Sequence, residues 1–549
     1  MKNQKSARIA YFSMEFAISS KIPNFAGGLG VLAYDILLSA ADLGRPMVGV
    51  SLIYHQNDDP KKAFPAEKFF QKVPETVDIR IENRIVKIGA WKHEIVGKKG
   101  KIPIYFLTTN LEENAKWDRD LTKNLYASDG YTRLAQEAIL GIGGYRMLHQ
   151  LGYEEIDFYH MNEGHAAFLT LERLKRKNFN DEATAEKCTF TTHTPVAAGH
   201  DYFDYDLANQ IIGKMIPWHI QKLAGADRLG MTELALALSK KSNSVAEKHR
   251  EVCAKMFPEI SFENVTNGIY HPRWIGEKMN GLFGETFGKN WTEKPEVLKD
   301  APKKLDDQKL LAAHLAQKKE LLKRINADAL VFENPDPDDF FDEKTLTIGF
   351  ARRFVPYKRP DLIFENLEKL REVGYKKIQI IFAGKIHDGD QFAEHTRENI
   401  KSAARKLRGQ IRVGIFPDYN LDIAKSLVTG VDMWLNNPVP PMEASGTSGM
   451  KVALNGGLNL SIADGWWIEG VKRRPESGYC FGGICDRAHP AERNACDADD
   501  LYQKIARAIS DFKKPKKWAE KMKNAIALLE FFNTHRVVRE YEQKMWAKK

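Results

Sequence analysis

A lysine follows a run of small residues in the stretch EASGTSGMKVALNG, residues 443 to 456. Lys451 stands at the start of a predicted helix, just after glycines and hydroxyl residues. These glycines, with the hydroxyls of Thr447 and Ser448, can donate hydrogen bonds to a phosphate group. An amine in a cleft beside other cations loses its proton more easily, through desolvation and like-charge repulsion. Because Schiff-base chemistry requires a neutral amine, the stretch predicts a reactive lysine next to a phosphate-binding turn.

Four cations follow the apolar run LTIGF in the segment ARRFVPYKRPDLIF. They are Arg352, Arg353, Lys358 and Arg359. Functional groups of parallel sheets collect at the carboxyl ends of strands, so at least some of these cations should converge where the predicted strand ends. Cations without nearby acids to pair them imply an anionic ligand, most simply phosphate. A solvated basic loop is the alternative, and the position at a strand end disfavours it.

A glycine-rich segment, NFAGGLGVLAYD, opens a predicted helix near the start of the chain. Gly27, Gly28 and Gly30 leave backbone N–H groups unshielded at the positive end of the helix dipole, where an anion is favoured. The pattern is not GxGxxG. Glycines before a helix serve as often in packing or turns, so both interpretations stay open.

Histidines end two further apolar runs, in HMNEGHAAF and TTHTPVAAGH. The first segment offers His160, Glu163 and His165 close together, but histidines five positions apart do not share a helix face, so no metal site is predicted. The alternative is a polar loop whose imidazoles bond the neighbouring backbone. His193, in the second segment, is either a satisfied polar residue or a substrate contact.

Apolar runs such as RIAYFSM, RPMVGVSLIY and IDFYHMN alternate with helical patterns such as GVLAYDILLSAADLG, and the alternation restarts after residue 340 with TLTIGFARR, KIQIIFAG and VDMWLNN. This alternation is typical of βαβ units on a parallel sheet. We therefore predict an α/β protein with two Rossmann-like parallel-sheet domains that face an interdomain active-site cleft. The first domain is placed at 1–270 and the second at 271–520. A C-terminal helix, 521–549, can pack back on the first domain.

The composition of the chain argues against several classes of partner and site. Lys and Arg outnumber Asp and Glu by 82 to 73, and the net charge of +9 is spread over a long chain, which does not indicate nucleic acid. The five cysteines are irregularly spaced and form no CxxC pair, so neither a disulfide framework nor a zinc site is predicted. No apolar stretch is long enough to span a bilayer. We expect a soluble cytoplasmic protein without a metal.

Six motifs, in order, resemble the α-glucan phosphorylases of glycogen, starch and maltodextrin, in their shorter bacterial and archaeal form. They are GGLG, HMNEGHAA, TTHT, VTNGIYHPRW, ARRFVPYKRPDL and EASGTSGMKVALNGGLNLSIADGWWIEG. The resemblance implies a two-domain glycosyltransferase with a glucan-side first domain and a second domain that binds pyridoxal 5′-phosphate. It implies a homo-oligomer and the reversible phosphorolysis of α-1,4-glucan to α-glucose 1-phosphate with retention. The cofactor's 5′-phosphate would exchange a proton with inorganic phosphate, so no pair of catalytic carboxylates is needed.

The resemblance also implies residue roles. Lys451 would carry the pyridoxal phosphate as a Schiff base, and His193 would face the reacting sugar with its backbone carbonyl. The implied catalytic residues are His193, Arg353, Lys358 and Lys451. The implied cofactor contacts are Lys451, Thr447, Ser448, Arg352 and Gly28. The implied substrate contacts are Gly27, Gly28, Leu29, His165, Asn267, Tyr357, Glu443, Ser445 and Gly446.

Two rival functions stay open. A nucleotide-sugar-dependent glucan synthase shares the two-domain architecture, but it has a glutamate eight positions after the residue that matches Glu443, and here that position is Lys451. A catalytically inactive glucan-binding protein is the other rival. Loss of activity should erode at least one of Lys451, Arg353 or Lys358, and all three are present.

Overall fold

The computed structural model describes residues 8–57, 63–384, 390–482 and 489–547 of the 549-residue chain. Strands and helices alternate along most of this length. The strands are β1 Ile9–Ser13, β2 Met47–Leu52, β3 Gln71–Ile81, β4 Arg84–Val96, β5 Lys101–Thr108, β6 Phe158–Asn162, β7 Cys188–Thr191, β8 Tyr202–Asp204, β9 Arg228–Gly230, β10 Lys241–Ser244, β11 Phe262–Asn264, β12 Leu346–Ala351, β13 Ile378–Ala383, β14 Arg412–Ile415, β15 Met433–Asn436, β16 Leu458–Ile462 and β17 Gly478–Phe481.

The α-helices are α1 Gly28–Asp42, α2 Lys116–Arg119, α3 Gly130–Ala138, α4 Gly144–Gln150, α5 Phe168–Arg176, α6 Asp181–Ala185, α7 Tyr205–Ile212, α8 Ile220–Leu223, α9 Met231–Ala237, α10 Glu247–Met256, α11 His271–Trp274, α12 Glu277–Phe287, α13 Ala301–Lys304, α14 Asp307–Asp328, α15 Leu367–Gly374, α16 Gln391–Lys406, α17 Leu421–Gly430, α18 Ser448–Leu454, α19 Trp466–Arg473, α20 Pro490–Phe512, α21 Pro515–Ala527 and α22 Thr534–Lys544. Within the described part of the chain, no helix has the length and apolar character needed to cross a membrane.

The chain divides into two compact units. The first contains the residues up to Thr266 together with those from Thr534 onward, and the second is Asn267–Asn533. Each unit contains a sheet that is largely or wholly parallel, with helices in the connections. The predicted α/β class with two parallel sheets is therefore confirmed.

The described part of the first unit forms a nine-stranded sheet with the order β11-β10-β7-β6-β1-β2-β5-β4-β3. Neighbours from β11 to β5 are parallel, and β4 and β3 extend the sheet as an antiparallel pair. Strands β2 to β5 all lie on one side of β1, with β3 at the edge of the sheet. Strands β6, β7, β10 and β11 lie on the other side of β1. The strand order therefore reverses between β1 and β6.

Both faces of this sheet are covered, which explains the unbroken apolar run of β1. Ile9 and Tyr11 pack in a cluster with α1 and α22. Ala10 and Phe12 pack in a second cluster with α3, α4 and α5. A strand buried on both faces favours a continuous apolar run, as β1 has from Ile9 to Phe12 before it ends at Ser13. The last helix, α22, thus completes the core of the first unit.

The described part of the second unit forms a six-stranded sheet with the order β14-β13-β12-β15-β16-β17, and all neighbouring strands are parallel. Counted within the unit, the order is 3-2-1-4-5-6. The order reverses between β12 and β15, because β13 and β14 lie on one side of β12 and β15, β16 and β17 lie on the other. Such a reversal opens a crevice at the carboxyl ends of the two strands, where ligands bind in doubly wound sheets.

The cysteines depart in part from the sequence-based expectation. Cys188, Cys253 and Cys480 are free thiols, as expected. Cys496 is disulfide-bonded, which the irregular cysteine spacing did not predict.

Candidate active site

The second unit places its predicted site residues after β12 and β15, the two strands at the reversal. Arg352 follows the last residue of β12, and Tyr357 and Lys358 lie a few residues further on. Glu443 lies on the segment that follows β15. Because parallel strands end at the same edge of the sheet, residues far apart in the sequence meet there.

A buried ion pair forms the centre of this cluster. Arg352 Nη2 donates to Glu443 Oε2 at 2.5 Å, and Arg352 Nη1 donates to Asn436 Oδ1. Lys358 Nζ lies 3.9 Å from the same Glu443 oxygen. The Arg352 side chain is 7% exposed and that of Glu443 is 8% exposed. The Lys358 side chain is 13% exposed. Two cations thus share one carboxylate, and the three side chains carry an excess of positive charge when Lys358 is protonated.

The ionisation of the cluster follows from burial and these charges. Burial alone would raise the pKa of the Glu443 carboxyl, but Arg352 and Lys358 hold it below its usual range. Burial of Lys358, together with the charge of Arg352, lowers the pKa of its ammonium group to about 7, against the attraction of Glu443. Glu443 is therefore a carboxylate at neutral pH, whereas Lys358 can change its charge there.

The remaining two cations of the segment take different positions. Arg353 is exposed. Arg359 is buried and points into the unit, where its guanidinium donates to the backbone oxygens of Asn437 and Pro438 and lies 2.8 Å from Asp497. Only part of the predicted convergence is thus found, because Arg359 holds the segment after β15 in place.

Lys451 lies on α18, behind a turn of small residues. Gly446 has a φ of +73°, a left-handed conformation that favours glycine, and the turn brings Ser448 to within 3.0 Å of the indole nitrogen of Trp434. The Lys451 side chain is buried, and its amine lies 3.8 Å from the centroid of the Trp274 ring. The predicted reactive lysine therefore faces a flat aromatic surface.

Several other predicted residues complete this region of the second unit. Ser445 is buried in the turn and donates to the carbonyl of Gly446 at 3.1 Å. The backbone oxygen of Tyr357 accepts from Val439 N at 2.7 Å, which ties the segment after β12 to the segment after β15. Thr447 immediately precedes α18. Asn267 is buried at the beginning of the unit.

The first unit presents the predicted glycines at the start of α1. Gly27 and Gly28 are exposed, and a Cβ atom added to either would meet nothing within 4 Å. No side chain caps the helix at Gly27. The N–H groups of the first turn have no partner inside the helix, and Leu29 lies among them. This end of α1 is thus open to a close approach by a ligand.

His193 is held by the two residues that end β6 and begin the following turn. Glu163 accepts hydrogen bonds from the backbone N–H of His193, from the Thr194 hydroxyl at 3.0 Å and from the Thr192 hydroxyl at 3.3 Å. Its own backbone has φ +75° and ψ +167°, a region that side chains rarely adopt. The strained residue therefore fixes the backbone around His193.

The imidazole of His193 has a defined proton position. Asn162 Nδ2 donates to Ser13 Oγ, so Asn162 Oδ1 accepts from His193 Nε2 at 2.8 Å. Burial, with the nearby histidines, lowers the pKa of His193 to about 3. The ring is therefore neutral at physiological pH, with its proton on Nε2.

His165 lies among charged and aromatic side chains. Its Nε2 is 3.5 Å from Asp201 Oδ2, and its ring centroid is 5.5 Å from that of Tyr126. Arg133 pairs with the same Asp201 oxygen at 2.6 Å. Burial and the charge of Arg133 lower the pKa of His165 to about 3, so this imidazole is also neutral.

Sequence reasoning did not identify several residues that shape these clusters. Asn162 and Asn436 are the last residues of β6 and β15, and a polar residue that ends an apolar run was the available signal. Asp464 accepts from the backbone of Glu443 at 2.9 Å. Trp274 lies in the quoted motif VTNGIYHPRW, where nothing in its spacing indicated a contact with Lys451.

The fold and these clusters define a class: an α/β protein with two parallel sheets and, in its second unit, a buried site with excess positive charge beside a lysine. Comparison with known proteins identifies the family within this class. A sequence model described as carbohydrate phosphorylase matches residues 208–509. A maltodextrin phosphorylase of Thermococcus litoralis is 32% identical, over 98% of this chain and 70% of the relative. A glycogen phosphorylase of Aquifex aeolicus is 32% identical, over 98% of this chain and 86% of the relative.

A third relative has nearly the same extent as this chain. It is an uncharacterized protein of Methanocaldococcus jannaschii, 32% identical over 98% of this chain and 99% of the relative. Together these similarities show that the chain belongs to the carbohydrate phosphorylase family. It is therefore an enzyme of the glycosyltransferase type, as the motifs predicted.

The depressed pKa of Lys358 predicts an unusual reactivity. Acetic anhydride acetylates only the neutral form of an amine and does not itself ionise. Its rate constant at Lys358, measured against an internal amine standard, should therefore rise with pH through a midpoint near 7 and then level off. Mass spectrometry of the peptide containing Lys358, over a pH series, measures this rate, and a Lys358→Arg variant identifies the signal. A midpoint close to the ordinary lysine value of 10.5 would contradict the burial argument.

Proposed function

We propose that the protein is an α-glucan phosphorylase, which reversibly transfers the non-reducing terminal glucosyl unit of an α-1,4-glucan to inorganic phosphate and forms α-glucose 1-phosphate with retention. The observation that carries the proposal is the buried cluster of Arg352, Lys358 and Glu443, whose cations exceed its acids. Such a cluster suits a dianionic substrate. Family membership and the names of the relatives supply the glucan.

Pyridoxal 5′-phosphate is the cofactor that we propose, and the residues of the second unit fit it. Lys451 offers a buried amine for covalent attachment, with the face of Trp274 beside it. Thr447, Ser448 and Arg352 offer hydroxyl and guanidinium donors of the kind that bind a phosphate. When bound, pyridoxal phosphate supplies a phosphate group that can give and take a proton near neutral pH.

Two carboxylates of the candidate site, those of Glu443 and Glu163, are already engaged. Glu443 is held ionised by Arg352 and Lys358, so we assign it to binding sugar hydroxyls, with Asn267, Tyr357, Ser445 and the backbone of Gly446. The Glu163 carboxylate accepts from His193 and two threonines. Glycosidases that use an acid–nucleophile pair need two available carboxyl groups. We therefore assign the proton on the glycosidic oxygen to the substrate phosphate.

The other residues take the roles that the family resemblance implies. Arg353 and Lys358 bind inorganic phosphate, which protonates the glycosidic oxygen and then attacks the sugar from the same face, with retention. His193 directs its backbone carbonyl at the positive charge that develops on the sugar, a contact that is stronger in the transition state than in the ground state. Gly27, Gly28 and Leu29 provide backbone contacts, and the neutral His165 lies near the substrate.

Activity in both directions tests the proposal. With a maltodextrin and phosphate the protein should release α-glucose 1-phosphate. With α-glucose 1-phosphate and a short maltodextrin primer it should lengthen the primer, because one catalyst serves both directions. ADP-glucose and UDP-glucose should be inert as donors. Transfer from a sugar nucleotide without phosphate would favour the glucan synthase, and glucan binding without turnover would favour the inactive binder.

Lys451 should carry the cofactor. Borohydride reduction of the holoenzyme should leave a pyridoxyl group on the peptide that contains Lys451, which mass spectrometry and near-ultraviolet absorbance detect. Lys451→Ala should lose both cofactor and activity. Lys472→Ala, which removes an exposed lysine of the same unit, should lose neither. A pyridoxyl group on another lysine, or none after reconstitution, would refute the cofactor assignment.

Gly28→Ala should separate folding from phosphate binding. The added methyl meets nothing within 4 Å, and alanine is the better helix former, so thermal stability should be unchanged or slightly higher. The methyl should obstruct the approach of phosphate to the first turn of α1, and KM for phosphate should rise about 10-fold or more.

Gly281→Ala is the matched control for this variant. It adds a methyl to an exposed helical glycine in α12 that also has nothing within 4 Å. It should leave KM for phosphate unchanged. Equal phosphate KM values for Gly28→Ala and the wild type would refute the assignment of these glycines to the phosphate site.

A further inference from the structure

Glu15 lies two residues after β1 and binds the glycine loop, which we define as residues 24–30. Its side chain is buried. Oε2 accepts the backbone N–H of Ala26 at 2.6 Å and that of Gly27 at 3.3 Å. One buried carboxylate thus holds two successive amides at the centre of the loop.

The residues after Glu15 hold both ends of the same loop. Phe16 N donates to Asn24 O at 3.0 Å, and Ala17 N donates to Gly30 O at 3.0 Å. Gly30 also explains how close the carboxylate comes. A Cβ atom at Gly30 would lie 2.8 Å from Glu15 Oε2, a distance that would force one of the two groups to move.

Tyr126 holds the other oxygen of Glu15. Its hydroxyl donates to Oε1 at 2.7 Å, and its backbone has φ +56°, which is unusual for a bulky residue. The guanidinium of Arg133 lies 4.5 Å from the Tyr126 ring centroid and pairs with Asp201 at 2.6 Å. The surrounding side chains thus maintain a strained tyrosine whose hydroxyl fixes the carboxylate.

A glycine loop needs such support. Gly27 and Gly28 have no Cβ to pack against neighbours, and glycine loses more backbone freedom on ordering than any other residue. If ligand binding had to order the loop, the affinity would fall by that cost. Glu15 orders the loop beforehand, and the N–H groups of Gly28 and Leu29, which the helix does not use, stay available.

We propose that Glu15 is a positioning residue that holds the glycine loop in place for the substrate phosphate. The inference rests on the proposed function, which assigns phosphate to this loop, and it extends that function to a buried residue that does not touch the ligand. Tyr126 supports Glu15, and the absence of a side chain at Gly30 makes room for it.

Two measurements on the full-length holoenzyme test the proposal. Hydrogen–deuterium exchange of the Ala26 and Gly27 amides measures whether Glu15 protects them. The KM values for phosphate and maltodextrin measure the effect of this contact on substrate binding. Glu15→Ala should speed exchange at both amides and raise KM for phosphate by about 10- to 100-fold, with KM for maltodextrin within about 2-fold. Glu15→Gln keeps an acceptor for the amides and should restore most of the phosphate affinity. Tyr126→Phe should have an intermediate effect.

Gly30→Ala provides an independent test of the same contact. In the wild-type background the methyl displaces the carboxylate, so the variant should behave like Glu15→Ala. In the Glu15→Ala background the methyl has room, and adding it should have no further effect on exchange or on KM for phosphate. Glu113→Ala, at an exposed glutamate, serves as the control and should change neither quantity.

The outcomes distinguish this inference from the proposed function. Faster amide exchange in Glu15→Ala with an unchanged phosphate KM would refute the positioning role. So would a parallel rise of both KM values in step with a loss of thermal stability, because that pattern marks a purely structural residue. A wild-type enzyme without activity in either direction would refute the proposed function and the phosphate role together. In that case unchanged amide exchange in Glu15→Ala would also refute the loop contact.

Discussion

The reversal of strand order in each sheet fixes where its candidate site residues can lie. Where the order reverses, connections leave two neighbouring strands in opposite directions, and the carboxyl ends of those strands stay uncovered. In the second unit the strands are β12 and β15, which lead to Arg352 and to Glu443. In the first unit they are β1 and β6, which lead to the glycine loop and to Glu163. The candidate site residues lie where the topology leaves backbone and side chains without a covering helix.

Burial then determines the charges at these strand ends. An isolated charge is costly to bury, so Glu443 persists as a carboxylate only because Arg352 and Lys358 adjoin it. Burial lowers the pKa of His193, and at His165 burial and the charge of Arg133 outweigh the attraction of Asp201, so both imidazoles are neutral. Glu443, His165 and His193 thus have fixed protonation states at neutral pH, whereas Lys358 can change its charge there. Neither Glu443 nor Glu163 offers an uncommitted acid, and this is why we propose that the substrate phosphate supplies the proton.

Two residues of these clusters have an unusual backbone conformation. Glu163 and Tyr126 have positive φ values without being glycines, and each directs a polar group at a neighbouring segment. Conformations of this kind persist only where the surroundings over-determine them, and they concentrate at functional sites. Both residues fix backbone, at His193 and at the glycine loop respectively. The two strained residues thus hold in place the backbone groups that we assign to the site.

The α/β class and the strands that read as apolar runs could be predicted from the sequence alone, because buried parallel strands favour continuous apolar runs. The family could be predicted too, because the residues of each motif are adjacent in the chain. Strands with polar or alternating residues could not be predicted in this way. Examples are β3 and β4, which form an antiparallel pair at the edge of the sheet, and β10, whose sequence is KSNS. Which of the four neighbouring cations adjoin Glu443 could be seen only in the folded chain, where Arg352 and Lys358 lie beside it and Arg359 pairs with Asp497. The contacts of Glu15 with Ala26 and of Trp274 with Lys451 were likewise visible only in the folded chain. Such contacts depend on side-chain direction and chain return, which no local pattern of residues encodes.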